Sequence, residues 1–339
     1  MRLVTFERGA GPVGFGAVVG DVVVDFADAA RARTGAVPPR LASVDAYLRG
    51  LPASLEEAHQ LLAGVVEADG RRVESVRLLP PVPRPAALLD CTLTPRHVAN
   101  STATLLRRSL PSGVGRVAGW VAKPVLGRRP RGVRYYKGNH NAMIGDHDTI
   151  GWPAYTAYLD IEPELAVVTG AVPCGATRAQ AVERLAGYLI FNDASARDVQ
   201  LPEMFFTGPA SSKDFDDSNG LGPYLVTPDD VADPLALDVT VGISDRGTWV
   251  GTTADYAMHP IDAVVAIASR RSLAAGTVIG MGTIPDCCGL DRDEWLRPND
   301  QITITFDGLG TLHQRVGTPT TPPGTRWQRR SDLAPAPRG

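Results

Sequence analysis

The sequence contains no run of about 20 apolar residues, the length that a helix needs to cross a bilayer. Its beginning, Met1–Ala10, also lacks the apolar stretch of a secretory signal peptide. A net charge of -3 and a pI near 6.1 give no overall attraction to nucleic acid or to anionic membranes. We therefore expect a cytoplasmic protein with neither nucleic acid nor membrane as a partner.

Cysteine is scarce, and its positions argue against two kinds of scaffold. Adjacent cysteines do not suit a disulfide framework, and the spacings do not match those of metal-binding cysteine pairs. The four are Cys91, Cys174, Cys287 and Cys288. We predict that they are reduced and fill space, with a reactive role for Cys288 as the alternative.

A glycine-rich phosphate loop is also missing, since Gly280-Met-Gly282 has too few glycines for a nucleotide fingerprint. No internal repeat of 20 to 50 residues is visible. Short apolar segments joined by turn residues dominate the second half of the chain, which predicts a strand-rich, mostly antiparallel α+β fold. The proline-rich run at 80–85 is the best boundary. We predict a small N-terminal domain (1–79), a catalytic domain (86–317) and an extended tail (318–339).

Acidic residues are absent between Cys91 and Gly145, where arginine and lysine are frequent. We expect a solvated, loop-rich face here, from which one or two basic side chains reach an acidic partner. Arg134 and Lys137 are the nearest in sequence to the acidic segment that follows.

That acidic segment, Tyr158–Gly170, alternates like a strand and places Asp160, Glu162 and Glu164 on one face. Like charges this close raise one another's pKa unless a cation or basic groups neutralise them. The segment therefore requires a counter-charge.

A helix with a capping box at Thr177 and Gln180, and with a stop at Gly187, should follow this strand. The apolar run Tyr188–Phe191 then predicts a strand that ends at Asp193, within reach of the acidic strand. The segment Leu201–Phe215 is too irregular for an element and suits a loop over a site.

Several shorter patterns predict further elements. The N-terminal segment should contain an antiparallel ribbon and two helices, near Val44–Leu48 and Leu55–Val66, the second of them capped by Ser54. Another helix should begin at Pro260.

Glu162, Glu164 and Asp193 offer hard oxygen donors without histidine or thiolate at ligand spacing. These donors favour Mg²⁺ or Ca²⁺ over zinc. The alternative is a structural strand with solvated carboxylates.

Five segments resemble, in order and spacing, the motifs of the fumarylacetoacetate hydrolase family, and the resemblance covers roughly 85–316. They are Asp160–Val168, Phe191–Gln200, Ser212–Phe215, Leu221–Thr227 and Gly280–Ile284. The resemblance implies a mixed β-sandwich roll, a homodimer and a divalent cation.

The resemblance also implies roles for individual residues. Glu162, Glu164 and Asp193 would hold the cation, Asp90 would be its fourth ligand, and His97, seven residues after Asp90, would be the catalytic base.

Further residues match positions that contact the substrate or a developing oxyanion: Tyr136, Arg197, Gln200, Lys213 and Thr283. The carboxylate that orients His97 is left open between Asp291 and Glu294.

The implied activity is hydrolysis of a carbon–carbon bond in a β-diketone or acylpyruvate-like acid, with Mg²⁺ or Ca²⁺ as cofactor and a small oxo acid as substrate. The first alternative is a decarboxylase, tautomerase or hydratase acting on 2-oxo acids. The second is a metabolite-binding protein without catalytic activity.

Overall fold

The structure is a computed structural model that describes residues 1–8, 11–65, 70–127, 132–319 and Trp327. The N-terminal segment begins with the antiparallel ribbon that the sequence predicts and continues through helices. Its elements are β1 (Arg2–Phe6), β2 (Gly14–Val19), β3 (Val22–Asp25), α1 (Phe26–Thr34), α2 (Val44–Gly50), α3 (Ala53–Leu62), β4 (Arg71–Arg72) and β5 (Leu78–Leu79).

The rest of the chain is richer in strands. Its elements are β6 (Ala87–Cys91), α4 (Pro95–Ser109), α5 (Ser112–Leu126), β7 (Tyr135–Gly138), β8 (Met143–Ile144), β9 (Thr149–Ile150), β10 (Leu159–Asp160), β11 (Pro163–Thr169), α6 (Arg178–Glu183), β12 (Leu185–Asp193), β13 (Ser195–Ala196), α7 (Arg197–Phe206), β14 (Asn219–Val226), β15 (Asp238–Ile243), β16 (Thr248–Thr252), α8 (Pro260–Ala268), β17 (Thr277–Gly280), α9 (Gly289–Arg292), β18 (Gln301–Phe306) and β19 (Gly310–Val316).

The larger sheet has the order β4-β3-β2-β1-β14-β12-β11-β17-β6-β7, with β5 beside β1 and β8 beside β14. The N-terminal ribbon joins it because β1 pairs with β14, Leu3 opposite Leu225. Within the intervening proline-rich run, Pro80, Pro81 and Val82 are buried. The division into an N-terminal and a catalytic domain remains a prediction.

A second sheet, in the order β16-β15-β18-β19-β9, lies against the first, and their side chains share one hydrophobic core. Leu165 and Val167 of β11 and Ile302 and Ile304 of β18 belong to this core. β11 is buried along its whole length, which explains its almost continuous apolar sequence. The predicted strand-rich α+β fold, a mixed β-sandwich roll, is confirmed.

Several predicted elements differ from those observed. The basic region contains the helices α4 and α5 instead of a loop-rich face, and α7 occupies the first part of the predicted loop at 201–215. Gly187 lies inside β12, where a Cβ would come within 2.2 Å of the Val226 carbonyl oxygen. Ser54 donates to the Tyr47 carbonyl oxygen instead of capping α3. The capping box at Thr177 and the helix at Pro260 are confirmed.

Parts of other predictions lie outside the described residues: the end of the second N-terminal helix at Val66, three arginines of the basic region (128, 129 and 131) and most of the tail after 318. Among the described residues, no helix has both the length and the apolar composition for crossing a bilayer.

Candidate functional site: a buried carboxylate cluster beside a histidine

Three carboxylates converge where neighbouring strands of the larger sheet end. Asp90 lies near the end of β6, Glu164 is on β11, and Asp193 is the last residue of β12. One oxygen from each lies within 4.8 Å of the others, and all three side chains are buried. The strand order β12-β11-β17-β6 brings Asp90 to residues more than 70 positions away in sequence. We call this group the carboxylate cluster.

Gly280, at the end of β17, makes room for the carboxylate cluster. A Cβ at this position would lie 2.6 Å from Glu164 Oε2 and 2.7 Å from Asp90 Oδ1. Real Cβ atoms essentially never approach that closely. The glycine is therefore required by the carboxylates that flank it.

We expect Gly280→Ala to lower cation affinity by about tenfold or more, because the added methyl must displace one of the two carboxylates. Gly113→Ala is the matched control, since a Cβ there meets no atom within 4 Å. Isothermal titration with Mn²⁺ measures the effect. Equal affinity in both variants would show that the spacing of the carboxylates is unimportant.

The donors of the carboxylate cluster fit a divalent cation. Among the described residues, no hydrogen-bond donor reaches Asp90 Oδ1 or Asp193 Oδ1, although both atoms are buried. Unpaired buried carboxylate oxygens are costly, and oxygen donors are those that Mg²⁺, Ca²⁺ and Mn²⁺ prefer. The same three carboxylates are poor ligands for softer metals.

Burial and like charge raise the affinity of this cluster for protons. Burial and then the charge of Asp193 raise the pKa of Asp90 to about 8. Burial and then the neighbouring Asp90 raise the pKa of Glu164 well above its usual value. Protons and cations therefore compete for the same oxygens.

We expect cation affinity to increase as pH rises toward about 8, because Asp90 loses its proton over this range. The increase should approach tenfold per pH unit for one displaced proton.

The raised pKa of Asp90 also affects the stability of the metal-free protein. Because this pKa is higher in the folded state than in the unfolded state, the metal-free protein should lose stability as pH rises from about 4 to about 8. Mn²⁺ titrations and thermal unfolding at several pH values measure both effects, and a pH-independent affinity would contradict this prediction.

Glu162, the remaining predicted ligand, has a different environment from Glu164. Its carboxylate pairs with Lys213 and with Arg197 Nη1, the latter at 2.8 Å, and lies 3.4 Å from His97 Nε2. Burial opposes ionisation, but Arg197 and Lys213 outweigh it and hold the pKa of Glu162 well below its usual value. Glu162 is therefore ionised and links the carboxylate cluster to His97.

The required counter-charge comes from residues that follow the acidic strand in sequence. Lys213 Nζ contacts Asp193 Oδ2 at 2.5 Å as well as Glu162, and the Tyr136 hydroxyl donates to the same Asp193 oxygen. Lys137, which the sequence suggested for this role, is exposed. Arg134 is exposed too, but it lines the cavity described below.

Asp160 lies outside the carboxylate cluster because the predicted strand is interrupted between β10 and β11. Its Oδ2 contacts Arg197 Nη2 at 2.7 Å, and its carboxylate accepts the backbone N–H groups of Gly289 and Leu290. Asp160 thus fixes Arg197 and the start of α9. Of the three carboxylates predicted on one face, only Glu162 and Glu164 face the site.

His97, in the first turn of α4, is oriented by Asp291 of α9. The distance from His97 Nδ1 to Asp291 Oδ1 is 2.9 Å. Burial alone would lower the pKa of His97, but Asp291 raises it well above the usual value. Glu294, the other carboxylate left open by the sequence, is exposed and lies 3.4 Å from Arg292. Cys288 is a buried thiol 3.7 Å from His97 Nδ1.

A cavity of about 350 Å³ joins these groups. The predicted substrate-contacting residues all line it: Tyr136, Arg197, Gln200, Lys213 and Thr283. Arg197 Nη1 donates to Gln200 Oε1 at 3.1 Å, and the Thr283 hydroxyl donates to Glu164 Oε1 at 3.3 Å. His97, Asp90 and Glu164 also line this cavity, and Asp193 contacts its lining residue Lys213, so a small molecule in the cavity can reach both the histidine and the carboxylate cluster.

An aromatic cage supports the far end of α4. The Arg108 guanidinium lies 5.2–5.4 Å from the ring centres of Tyr158, Trp295 and Trp327. Its Nε also contacts Asp293 at 2.6 Å. Since His97 and Arg108 share one helix, the cage restrains the helix that carries the histidine.

We expect Trp327→Ala to lower the free energy of unfolding by about 3–5 kcal/mol, as for other buried tryptophans. Trp327 is only 5% exposed. Phe206→Ala is the control, since the aromatic residue Phe206 on α7 is 86% exposed. Chemical denaturation of both variants measures the difference, and a loss for Trp327→Ala no larger than that of the control would contradict this prediction.

Sequence reasoning missed Gly280 as a spacing residue, and it missed Arg108 and Trp327. Gly280 was visible only as part of a short glycine motif. The buried positions His97, Ser101, Leu105 and Arg108 recur at helical spacing, and this signal could have identified α4.

The family model for the C-terminal domain of fumarylacetoacetate hydrolase matches residues 114–317. The oxaloacetate tautomerase of Bacillus subtilis (strain 168) is 30% identical over 180 residues, which are 52% of this chain and 57% of that protein. This match therefore spans less than two thirds of that relative's length.

Two solved structures share the fold. Maleylpyruvate hydrolase from Sphingobium sp. SYK-6, in complex with manganese(II) ion and pyruvate, has a TM-score of 0.66 at 21% identity and covers 94% of this chain and 99% of its own. The 2-hydroxyhepta-2,4-diene-1,7-dioate isomerase from Mycobacterium marinum has a TM-score of 0.63 at 21% identity, with the same coverage. By its family-model match, this chain belongs to the fumarylacetoacetate hydrolase family.

Proposed function

We propose that this protein is a divalent-metal-dependent hydrolase that cleaves a carbon–carbon bond in a β-diketone or acylpyruvate-like acid. The observation that supports this proposal is the His97–Asp291 pair, which lies beside the carboxylate cluster at one cavity. A histidine held by a carboxylate is the usual arrangement of a general base.

Asp90, Glu164 and Asp193 would hold the cation, with Glu162 as a fourth ligand once its ion pairs rearrange. When bound, the cation would supply Lewis-acid stabilisation of the substrate's oxygens as negative charge develops there. Mg²⁺, Ca²⁺ and Mn²⁺ are all candidates, since all accept oxygen donors.

His97 has to lose its proton before it can act as a base, because Asp291 favours the protonated form. Added positive charge at the carboxylate cluster would lower the pKa of His97 and favour this loss. His97 Nε2 then removes a proton from water, and the resulting hydroxide attacks the carbonyl carbon. Asp291 stabilises the imidazolium and keeps the ring in place.

Basic and amide side chains would stabilise the oxyanion that this attack creates. Arg197, Gln200 and Lys213 line the cavity with N–H donors, and one such donor is often worth about 3 kcal/mol. When the tetrahedral species collapses, the carbon–carbon bond breaks, and the departing carbon leaves with the bonding electron pair and takes up the proton that His97 removed from water. The products are two acids, or an acid and a ketone.

A tautomerase, decarboxylase or hydratase of 2-oxo acids is the second candidate, favoured by the 30% identity to an oxaloacetate tautomerase. The same His97 would then move a proton on the substrate carbon instead of activating water. A metabolite-binding protein without turnover is the third candidate. The intact His97–Asp291 pair argues against it.

The test is to incubate the purified protein and Mn²⁺ with a panel of acylpyruvates and oxaloacetate, and to follow products by mass spectrometry. Hydrolysis splits the substrate, tautomerisation leaves its mass unchanged, and decarboxylation removes CO₂. We expect split products that disappear with chelator. Tautomerisation alone would overturn hydrolysis, and metal binding without any turnover would support the binding protein.

We also propose a homodimer. A row of apolar side chains on α5 is exposed in the single chain: Val114, Val117, Trp120 and Val121. Such a row is more typical of an interface than of a solvent-facing helix. Light scattering coupled to size exclusion measures the mass, and a monomer at micromolar concentration would contradict this proposal.

A further inference from the structure

Another group of potential metal ligands among the described residues lies away from both the carboxylate cluster and His97: Asp146, His147 and His313. Asp146 and His147 lie between β8 and β9, and His313 is on β19, 167 residues after Asp146. We propose that these three side chains form a second cation site, for a transition metal such as zinc. This site is independent of the proposed reaction.

The distances suit such an ion. His313 Nδ1 lies 3.1 Å from Asp146 Oδ1, and His147 Nε2 lies 3.5 Å from Asp146 Oδ2. Ligand atoms around a tetrahedral zinc, each about 2.0–2.1 Å from the metal, are about 3.4 Å apart. The ligand atoms of all three residues lie within 4.8 Å of one another. His147 is 76% exposed, so its ring has room to rotate.

Backbone contacts hold the group together before any ion binds. Asp146 Oδ1 accepts the backbone N–H of His313 at 2.6 Å, and the backbone N–H of His147 donates to the His313 carbonyl oxygen at 2.6 Å. The φ of His147 is 64°, an uncommon conformation for a residue other than glycine. A structural hydrogen bond would be a sufficient reason for Asp146 and His313 to lie together. It would not explain why the His147 ring stacks on the His313 ring, with 4.8 Å between the ring centres.

The donor set defines the class of ion. Two imidazoles and one carboxylate favour Zn²⁺, Ni²⁺ or Cu²⁺ over Mg²⁺ and Ca²⁺, unlike the all-oxygen carboxylate cluster. A cavity of about 700 Å³ borders Asp146 and His147, so water or a small anion can complete the coordination. The bound ion would cross-link the turn between β8 and β9 with β19 of the second sheet.

The test is isothermal titration of the full-length protein with Zn²⁺. We expect the wild type to bind one more equivalent of Zn²⁺ than His313→Ala or His147→Asn does. If the variants still bind this equivalent, their affinity for it should be at least tenfold weaker than that of the wild type. Asparagine tolerates a positive φ, so His147→Asn should preserve the turn. His59→Ala is the matched control, because His59 Nε2 lies 3.2 Å from a single carboxylate, that of Asp229.

A second measurement separates the two sites. Zn²⁺ should raise the melting temperature of Glu164→Gln, whose carboxylate cluster is altered, but raise it less in His147→Asn. If His147→Asn and His313→Ala bind Zn²⁺ with wild-type stoichiometry and affinity, the proposal is wrong. The proposal is also wrong if His59→Ala loses as much Zn²⁺ binding as His147→Asn and His313→Ala, since Zn²⁺ would then be binding to separate histidines and not to one site.

Discussion

Replacing His97 with glutamine should lower kcat by about 10²–10⁴-fold, the usual contribution of a general base. Glutamine can keep a hydrogen bond to Asp291 but cannot take up a proton, so the fold and the cavity should persist. Substrate KM should change little, and Mn²⁺ affinity should not fall, because glutamine carries no positive charge that would oppose the cation. Steady-state kinetics on the substrate found by the panel, together with a Mn²⁺ titration, measure all three quantities.

A matched pair of variants tests the geometry around His97. Asp291→Asn removes the charge 2.9 Å from His97 Nδ1, and kcat should fall by at least 10²-fold. Glu294→Gln makes the same chemical change at an exposed residue and should leave kcat near the wild-type value. Equal effects at Asp291 and Glu294, or full activity in His97→Gln, would remove His97 from the mechanism.

Replacing Glu164 with glutamine should weaken Mn²⁺ binding by about 100-fold or more, because one buried oxygen anion is lost from the carboxylate cluster. The loss of kcat should be on the order of 10³-fold, since a Lewis-acidic cation supplies several kcal/mol of stabilisation. Titration and kinetics at saturating Mn²⁺ separate the loss of binding from the loss of turnover.

The metal-free stability of this variant gives a second readout. Glu164 is buried beside Asp90, and the raised pKa values of both groups favour neutral carboxyls without metal, so the neutral glutamine should keep or raise the melting temperature of the metal-free protein. Added Mn²⁺ should stabilise the wild type more than the variant. Glu183→Gln, at an exposed residue of α6, is the control. Unchanged Mn²⁺ stabilisation in Glu164→Gln would place the cation elsewhere.

Much of the candidate site could be predicted from the sequence, because its residues belong to short motifs with fixed spacing. Glu162 and Glu164 alternate on one segment, and Asp193 ends the next apolar strand. The order of five motifs was enough to predict the family and the β-sandwich roll. The helices α4 and α5 were missed because basic and small residues obscure their apolar periodicity.

Other assignments depended on long-range contacts that no local pattern contains. Whether Asp291 or Glu294 orients His97 is decided by α9, whose start is fixed by Asp160 far upstream. The choice of Lys213 over Lys137 as counter-charge depends on which side chain the fold buries beside Asp193.

The sequence by itself therefore determined the family, the strand-rich architecture and most of the candidate site residues, since alternation and motif spacing are local properties. Only the tertiary structure decided how these residues divide into groups. It separated Asp160 from the carboxylate cluster, and it brought Asp90 to that cluster through the pairing of β6 with β17. It also joined His147 to His313, because strand pairing and burial act between residues that are far apart in the chain.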